Sequence, residues 1–325
     1  MRIAVFGAGG IGGYLGARLA AAGEEVLLIA RGPHLGVIRR DGLRVETPNG
    51  ELRATPALAT DDVQEAGPVD MILLGVKAWD VRAAARAMRP MIHPGTAVVT
   101  LQNGVDAPTD VAEVLGPEHV IAGVAGVRSV AVAPGRIRHL GGVDPNLVIG
   151  ELVGKRGRRS SERAEQLRAA LERAKVTVMV APDIEAWLWG KLAAAAALGG
   201  VGAVVRVPTG IWRQVPEALG MLEQVANEVI AVARARGVEP PAGVVDLLKA
   251  TVAAVPPDHR ASLAEDVVEG RPSELEYWNG AVVRLGRQAG VATPVNELIY
   301  ASLLPREKRV RGELFFDVGS RSGSR

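Results

Sequence analysis

The sequence predicts an α/β fold, an N-terminal Rossmann-type doubly wound sheet joined to a C-terminal all-α domain. Three observations predict it. A short apolar run from Arg2 to Phe6 enters Gly7-x-Gly9-x-x-Gly12 and then a helical pattern with Leu15, Leu19 and Ala22 in step. Strand-length apolar runs alternate with helical ones up to about Val180, the pattern of a parallel sheet covered by helices. From Pro182 onward the pattern is helical only.

Each glycine of the opening motif has a physical job. Gly7 permits the tight strand-to-helix turn, Gly9 lets backbone approach a pyrophosphate, and Gly12 lets the helix lie close on the strand. The helix start then offers free N–H groups and a positive dipole end, so the backbone of Gly9, Gly10, Ile11 and Gly12 is the expected phosphate cradle. The second strand, Glu25 to Ala30, ends at Arg31-Gly32-Pro33-His34 with no carboxylate. NAD-preferring folds place an acid here for the ribose 2′-hydroxyl, whereas a guanidinium suits a 2′-phosphate. Arg31 therefore points to NADP(H), against the plainer reading of an exposed arginine at a strand end.

Next, Leu43 to Thr47 and Leu52 to Thr55 flank Pro48-Asn49-Gly50, a hairpin signal. Met71 to Val76 is a fully apolar strand ending at Lys77, a helix is expected over Val81–Met91, and Ala97 to Leu101 is a strand ending at Gln102-Asn103-Gly104. Further strands are expected at Val120–Val124, Ser129–Val132, Arg136–Leu140 and Leu147–Leu152. A charged helix over Ser160–Ala174 and a last strand at Val176–Val180 complete this half. Ligands of such sheets lie beyond the carboxyl ends of the strands, where Gly7, Arg31, Lys77 and Asn103 all fall. Lys77 and Asn103 are thus candidate cofactor contacts, although a strand-end cap and an Asn-Gly turn explain them equally simply.

In the second half Asp183 can cap a long helix, and further helices are expected near Glu217–Arg236, Ala242–Ala254, Arg260–Glu269, Ser273–Ala289 and Pro294–Leu304. The expected domains are 1–181 for the nucleotide and 182–315 for substrate and catalysis, with a disordered tail over 316–325. Lys191 stands alone between Trp187-Leu188-Trp189-Gly190 and an alanine-rich run. Facing inward it would be desolvated, its pKa lowered, and it would serve as a proton donor; facing outward it would simply snorkel to water.

Composition narrows the classes. The 325 residues include no cysteine, which excludes disulfides and thiol chemistry, and the balance of 38 basic to 36 acidic residues gives +2, too even for a nucleic-acid or anionic-membrane binder. The five histidines fall in no metal-ligand spacing. The most apolar stretch, Leu192 to Val205, is too short to span a bilayer, and the chain opens directly on a strand, so a cytoplasmic protein without a leader is expected.

Taken together, Gly7-x-Gly9-x-x-Gly12, Arg31, Val76-Lys77-Ala78, Leu101-Gln102-Asn103-Gly104, Trp189-Gly190-Lys191-Leu192 and Ser262 followed by Glu274-x-x-x-x-Asn279-Gly280 resemble the ketopantoate reductase (2-dehydropantoate 2-reductase) family, to about Arg309. The resemblance implies NADPH-dependent reduction of a 2-oxo acid, 2-dehydropantoate, to pantoate for pantothenate biosynthesis. It implies Lys191 as general acid, Glu274 on the substrate hydroxyl, Ser262 on the carboxylate, and Asn103 near the nicotinamide and Lys191. The chain departs from the family where asparagines are expected four and eight residues after the lysine, and before a glycine: Ala195, Gly199 and Thr209 stand there. A different 2-oxo acid, bulkier or less polar, is therefore an alternative substrate. A non-catalytic NADP(H)-sensing module is an alternative of another class, and Lys191 and Glu274 argue against it. A homodimer formed through the helical half is compatible with the sequence.

Overall fold

The computed structural model describes residues 1–152 and 161–315, so the tail expected from residue 316, and Ser160, lie outside the described residues. The chain forms two compact units, residues 1–191 and 192–325. The boundary between these units falls inside one long helix.

In the first unit the elements run β1 (Arg2–Phe6), α1 (Gly10–Ala21), β2 (Glu25–Ile29), α2 (Gly32–Asp41), β3 (Leu43–Thr47), β4 (Gly50–Ala54), β5 (Leu58–Thr60), α3 (Val63–Ala66), β6 (Met71–Leu74) and α4 (Val81–Ala87). They continue as β7 (Ala97–Thr100), α5 (Ala107–Leu115), β8 (Val120–Ala133), β9 (Arg136–Glu151), α6 (Glu162–Arg173), β10 (Val178–Val180) and the start of α7 (Ile184–Val205). The sheet order is β4-β3-β9-β8-β7-β6-β1-β2-β5, with β10 beside β9. Strands β5, β2, β1, β6, β7 and β8 are parallel, and the direction of winding reverses between β1 and β6. A doubly wound sheet presents its ligand crevice at that switch point.

Alternation along β1 explains why the sheet is sandwiched. Ile3 and Val5 face one buried layer with Leu15, Leu28 and Leu73, while Ala4 and Phe6 face the other with Leu27, Ile72 and Val81. A third cluster lays Ile184 and Leu188 of α7 on Ala122 and Val124 of β8 and Val148 of β9.

Several boundaries differ from expectation for identifiable reasons. The strands expected separately at Val120–Val124 and Ser129–Val132 are one continuous β8, and those at Arg136–Leu140 and Leu147–Leu152 are one β9, because register irregularities near Val127 and Ala131 let the antiparallel pair continue through its glycines. The helix expected over Val81–Met91 stops at Ala87 and resumes as a 3₁₀ turn at Arg89–Met91, since Pro90 cannot extend the hydrogen-bond ladder. β2 ends at Ile29, and Arg31, at the expected strand-end corner, is also the residue before α2, with Pro33 in the helix's first turn.

The second unit is helical among its described residues: the remainder of α7, α8 (Thr209–Trp212), α9 (Pro216–Ala235), α10 (Val244–Ala254), α11 (Ser262–Val268), α12 (Asn279–Ala289) and α13 (Pro294–Val310). The Asp183 side chain accepts a hydrogen bond from Ala186 N–H at 3.2 Å, the expected cap of α7. With 22 residues, α7 is long and apolar enough to cross a bilayer, which corrects the reading of Leu192–Val205 as too short. Most of its apolar window is buried within the protein, as in the core helix of a folded domain.

The helix expected over Ser273–Ala289 is two pieces, a 3₁₀ turn at Leu275–Tyr277 and then α12, separated by Trp278 with φ −110° and ψ −95°. Ser273-x-x-Glu276 has the letters of a capping box, but the two residues do not form one. Ser273 donates its N–H and hydroxyl to the buried Glu307 carboxylate at 2.8 and 2.7 Å, and Glu276 accepts from the Tyr300 hydroxyl. Glu307 also receives Arg306 and Arg311, so one buried acid ties α13 to the turn before α12.

Candidate active site

The glycine turn has the geometry its sequence predicts. Gly7 adopts φ +99°, which side-chain-bearing residues rarely do, and its N–H donates to Ile29 C=O at 3.1 Å. A Cβ on Gly12 would lie 2.2 Å from Gly7 O, so only glycine lets α1 sit this close to β1. At Gly9 a Cβ would meet no protein atom within 4 Å. Packing within the chain therefore explains Gly7 and Gly12 but not Gly9. Gly9 caps α1 without any side-chain hydrogen bond, leaving the first N–H groups of a 12-residue helix unclaimed by a capping side chain. His34 braces the turn: its Nδ1 accepts from Gly135 N–H at 2.9 Å, so its Nε2 carries the proton and donates to Ala8 O at 2.8 Å.

The parallel register puts Gly7, Arg31, Lys77 and Asn103 at the carboxyl edge of four adjacent strands, β2, β1, β6 and β7. Arg31 is exposed, and its guanidinium has no partner among the described residues. The Lys77 ammonium stands 5.7 Å from the Trp79 ring centroid. Asn103 is half-buried, with no side-chain partner among the described residues. Gln102 is structural. Its amide donates to Leu74 O and Val76 O at 2.8 and 2.9 Å and accepts from Leu101 N–H, binding the loops after β6 and β7 together so that Lys77 and Asn103 project from a fixed platform.

Lys191 follows Leu188 by three residues on α7, one turn beyond the stripe that packs on β8. It keeps slight solvent access and has no hydrogen-bond or ion-pair partner among the described residues. Desolvation pushes its pKa below the ordinary lysine range, and the positive charge of Arg128 pushes it the same way. Arg128 was not anticipated from the sequence. Its only signal there is a lone cation inside an otherwise uncharged strand, and long surface arginines are common.

In the second unit Glu274 is buried, 7% exposed, and its backbone carbonyl closes the turn by accepting from Tyr277 and Trp278 N–H. Ser262 is exposed at the first turn of α11. Asn279 donates its amide N–H groups to Ala196 O and Asn296 Oδ1, while its buried Oδ1 has no hydrogen-bond partner among the described residues. The positions that lack the family's asparagines are informative. A Cβ on Gly199 would lie 2.6 Å from the Trp278 ring, so the indole fills the space a side chain there would need. Thr209 is buried against His259, with Oγ1 to Nδ1 at 3.1 Å.

A strand–glycine turn–helix at the switch point of a doubly wound sheet defines a dinucleotide-binding fold of the Rossmann type. Comparison with known proteins makes this specific. The family described as "Ketopantoate reductase PanE/ApbA" matches residues 3–154, and its C-terminal domain matches residues 183–307. The 2-dehydropantoate 2-reductases of Mesorhizobium japonicum and Caulobacter vibrioides are 31% and 32% identical, each aligned over 93% of this chain and 96% and 97% of theirs. A PanE/ApbA family ketopantoate reductase from Ralstonia eutropha JMP134 superposes with a TM-score of 0.87 at 31% identity, over 96% of this chain and all of that one. D-mandelate dehydrogenase in complex with NADH and anilino(oxo)acetate shares the fold, with a TM-score of 0.85 at 23% identity. The chain belongs to the ketopantoate reductase family, and it is an oxidoreductase acting on CH–OH groups.

Proposed function

We propose that the protein reduces 2-dehydropantoate to pantoate with NADPH, a step of pantothenate synthesis, with residues 1–181 holding the nucleotide and the helical residues 182–315 the acyl substrate. The observation that carries this reading is the desolvated amine of Lys191, on a helix packed against the sheet that bears the glycine turn.

The residues present fit the nucleotide. Gly9 has no packing reason to be glycine, and the start of α1 is free of side-chain caps, which suits close approach of a pyrophosphate to the N–H groups of Gly10, Ile11 and Gly12. Arg31 would hold the 2′-phosphate, a role supported by its exposure at the end of β2 and its lack of an internal partner. Lys77 and Asn103 would flank the cofactor from the Gln102 platform. When bound, the reduced nicotinamide supplies the hydride that adds to C2 of the 2-oxo acid. As the carbonyl π pair moves onto oxygen, Lys191 stabilises the growing negative charge and gives up its proton to form the hydroxyl. Glu274 and Ser262 take the hydroxyl and carboxylate roles that the family resemblance implies.

Gly199 favours a second reading of the substrate alone. Where the family offers an amide, this chain has a glycine whose side-chain space the Trp278 ring fills, so a less polar 2-oxo acid is the alternative. Steady-state NADPH oxidation against ketopantoate, 2-oxoisovalerate, pyruvate and phenylglyoxylate distinguishes them. Ketopantoate turning over fastest is expected, and ketopantoate no better than the others would reject the specific assignment. The sensor reading is separated by Lys191→Ala, which should abolish turnover while NADPH still binds.

A further inference from the structure

We propose that Arg128 is a specificity-determining residue that binds the carboxylate of the 2-oxo acid beside Lys191. The inference rests on the reductase reading above and adds a group that the resemblance does not supply.

The placement follows from β8. Its odd residues Ile121 and Val127 belong to the core layer shared with α1, whereas Ala122 and Val124 pack on Ile184 and Leu188 of α7. Register irregularities flank Val127, but Val127 itself faces the α1 layer, so Arg128 beside it points to the opposite face, the one on which α7 packs. Lys191 continues the matching stripe of that helix, one turn past Leu188. The two cations therefore extend from the same packed layer. The next residue on the strand, Ser129, touches the nucleotide turn: a Cβ on Gly10 would fall 2.2 Å from Ser129 O. One strand thus connects the expected phosphate cradle to the amine.

Arg128 differs from the arginines around it. Arg136 and Arg138 pair with Glu46, and Arg163 pairs with Glu151, but the exposed Arg128 guanidinium has no partner among the described residues. Two neighbouring cations without an anion repel each other, and the influence of Arg128 on Lys191 is the electrical trace of that repulsion. A 2-oxo acid answers both charges. Its carboxylate is one bond from the carbonyl carbon, so a guanidinium holding the carboxylate in a forked pair of hydrogen bonds turns the adjacent carbonyl oxygen toward an amine next to it.

The test compares Arg128→Ala and Arg128→Lys with wild type on ketopantoate and on ketopantoyl lactone, which keeps the ketone but has no carboxylate. Arg128→Ala should raise KM for ketopantoate roughly 10- to 150-fold with little change in kcat. KM for the lactone and Kd for NADPH should stay within about twofold, and Arg128→Lys should recover part of the loss, as expected when one charge replaces a forked contact. Calorimetric binding of oxamate to the NADP⁺-loaded protein gives a readout without turnover and should weaken in parallel. Equal effects on acid and lactone, weakened NADPH binding, or unchanged KM and oxamate affinity would each overturn the assignment. Failure of the wild type to reduce any 2-oxo acid would instead reject the reductase reading. Oxamate binding would still decide Arg128, since absent or variant-independent binding sinks it.

Discussion

The carboxyl edge of the sheet and the segment from Ser273 to Asn279 both carry motif residues, yet they use them differently. At the sheet edge, Arg31 and Asn103 have no partner among the described residues, and Gly9 is a glycine that no neighbour requires. In the helical segment, Ser273 is bound to Glu307, Glu276 to Tyr300, and Asn279 to Ala196 and Asn296. A polar side chain left unsatisfied away from water costs free energy, so the half-buried Asn103 points to a ligand, whereas the exposed Arg31 is solvated and carries no such cost. Ser273 and Glu276 are bonded within the fold and are scaffold, whereas the buried Asn279 Oδ1 and Trp278 Nε1–H have no hydrogen-bond partner among the described residues.

Lys191 is the sharpest break between the two. A general acid contributes about 10²- to 10⁴-fold, so Lys191→Ala should lower kcat by that factor while the fluorescence titration of NADPH stays unchanged. Glu307 should behave oppositely. It is buried and joins Ser273, Arg306 and Arg311, and removing one member of such a cluster typically costs about 3–5 kcal/mol. Glu307→Ala should therefore reduce unfolding free energy by that order in urea, with Kd for NADPH unaltered in protein that remains folded. A variant that lost activity without losing stability would move Glu307 from scaffold to site.

Smaller and more selective is Arg31. Losing a forked contact to a 2′-phosphate should weaken NADPH roughly 10- to 150-fold and leave NADH alone. Equal loss for both nucleotides would make Arg31 a general phosphate contact and dissolve the NADPH preference.

What could be read beforehand follows the same divide. The glycine turn, the parallel strands and the hairpin at Asn49-Gly50 are local: periodicity, turn chemistry and chain direction determine them within a few residues. Residues far apart in sequence decided what was misread. Ser273-x-x-Glu276 has the letters of a capping box, but Glu307, 34 residues away, claims the serine. The absent amide at Gly199 admits a bulkier substrate until Trp278, from a distant turn, is seen to fill the space. Arg128 was invisible because its meaning depends on α7 lying across β8. Trp278 also breaks a helix whose apolar period runs straight through it, so periodicity alone could not find the break.

The finest test is pH. Burial and Arg128 both disfavour the Lys191 ammonium, so its pKa in the folded protein lies below its unfolded value. Between the two values the unfolded chain holds more protons, and this residue's contribution to stability therefore grows as pH rises through that window. Catalysis runs the other way, because the acid must be protonated to act: kcat/KM, which reports the free enzyme, should fall with rising pH, on a limb below the ordinary lysine range of about 10.4. Arg128→Ala removes one of the two causes, so the limb should move to higher pH while the smaller part of the shift disappears. Lys191→Arg, which cannot deprotonate in this range, should leave no such limb. A limb that stays in place in Arg128→Ala would mean that the guanidinium and the amine do not share a site, and the contrast between a displayed and a hidden chemistry would then rest on Arg31 and the glycine turn alone.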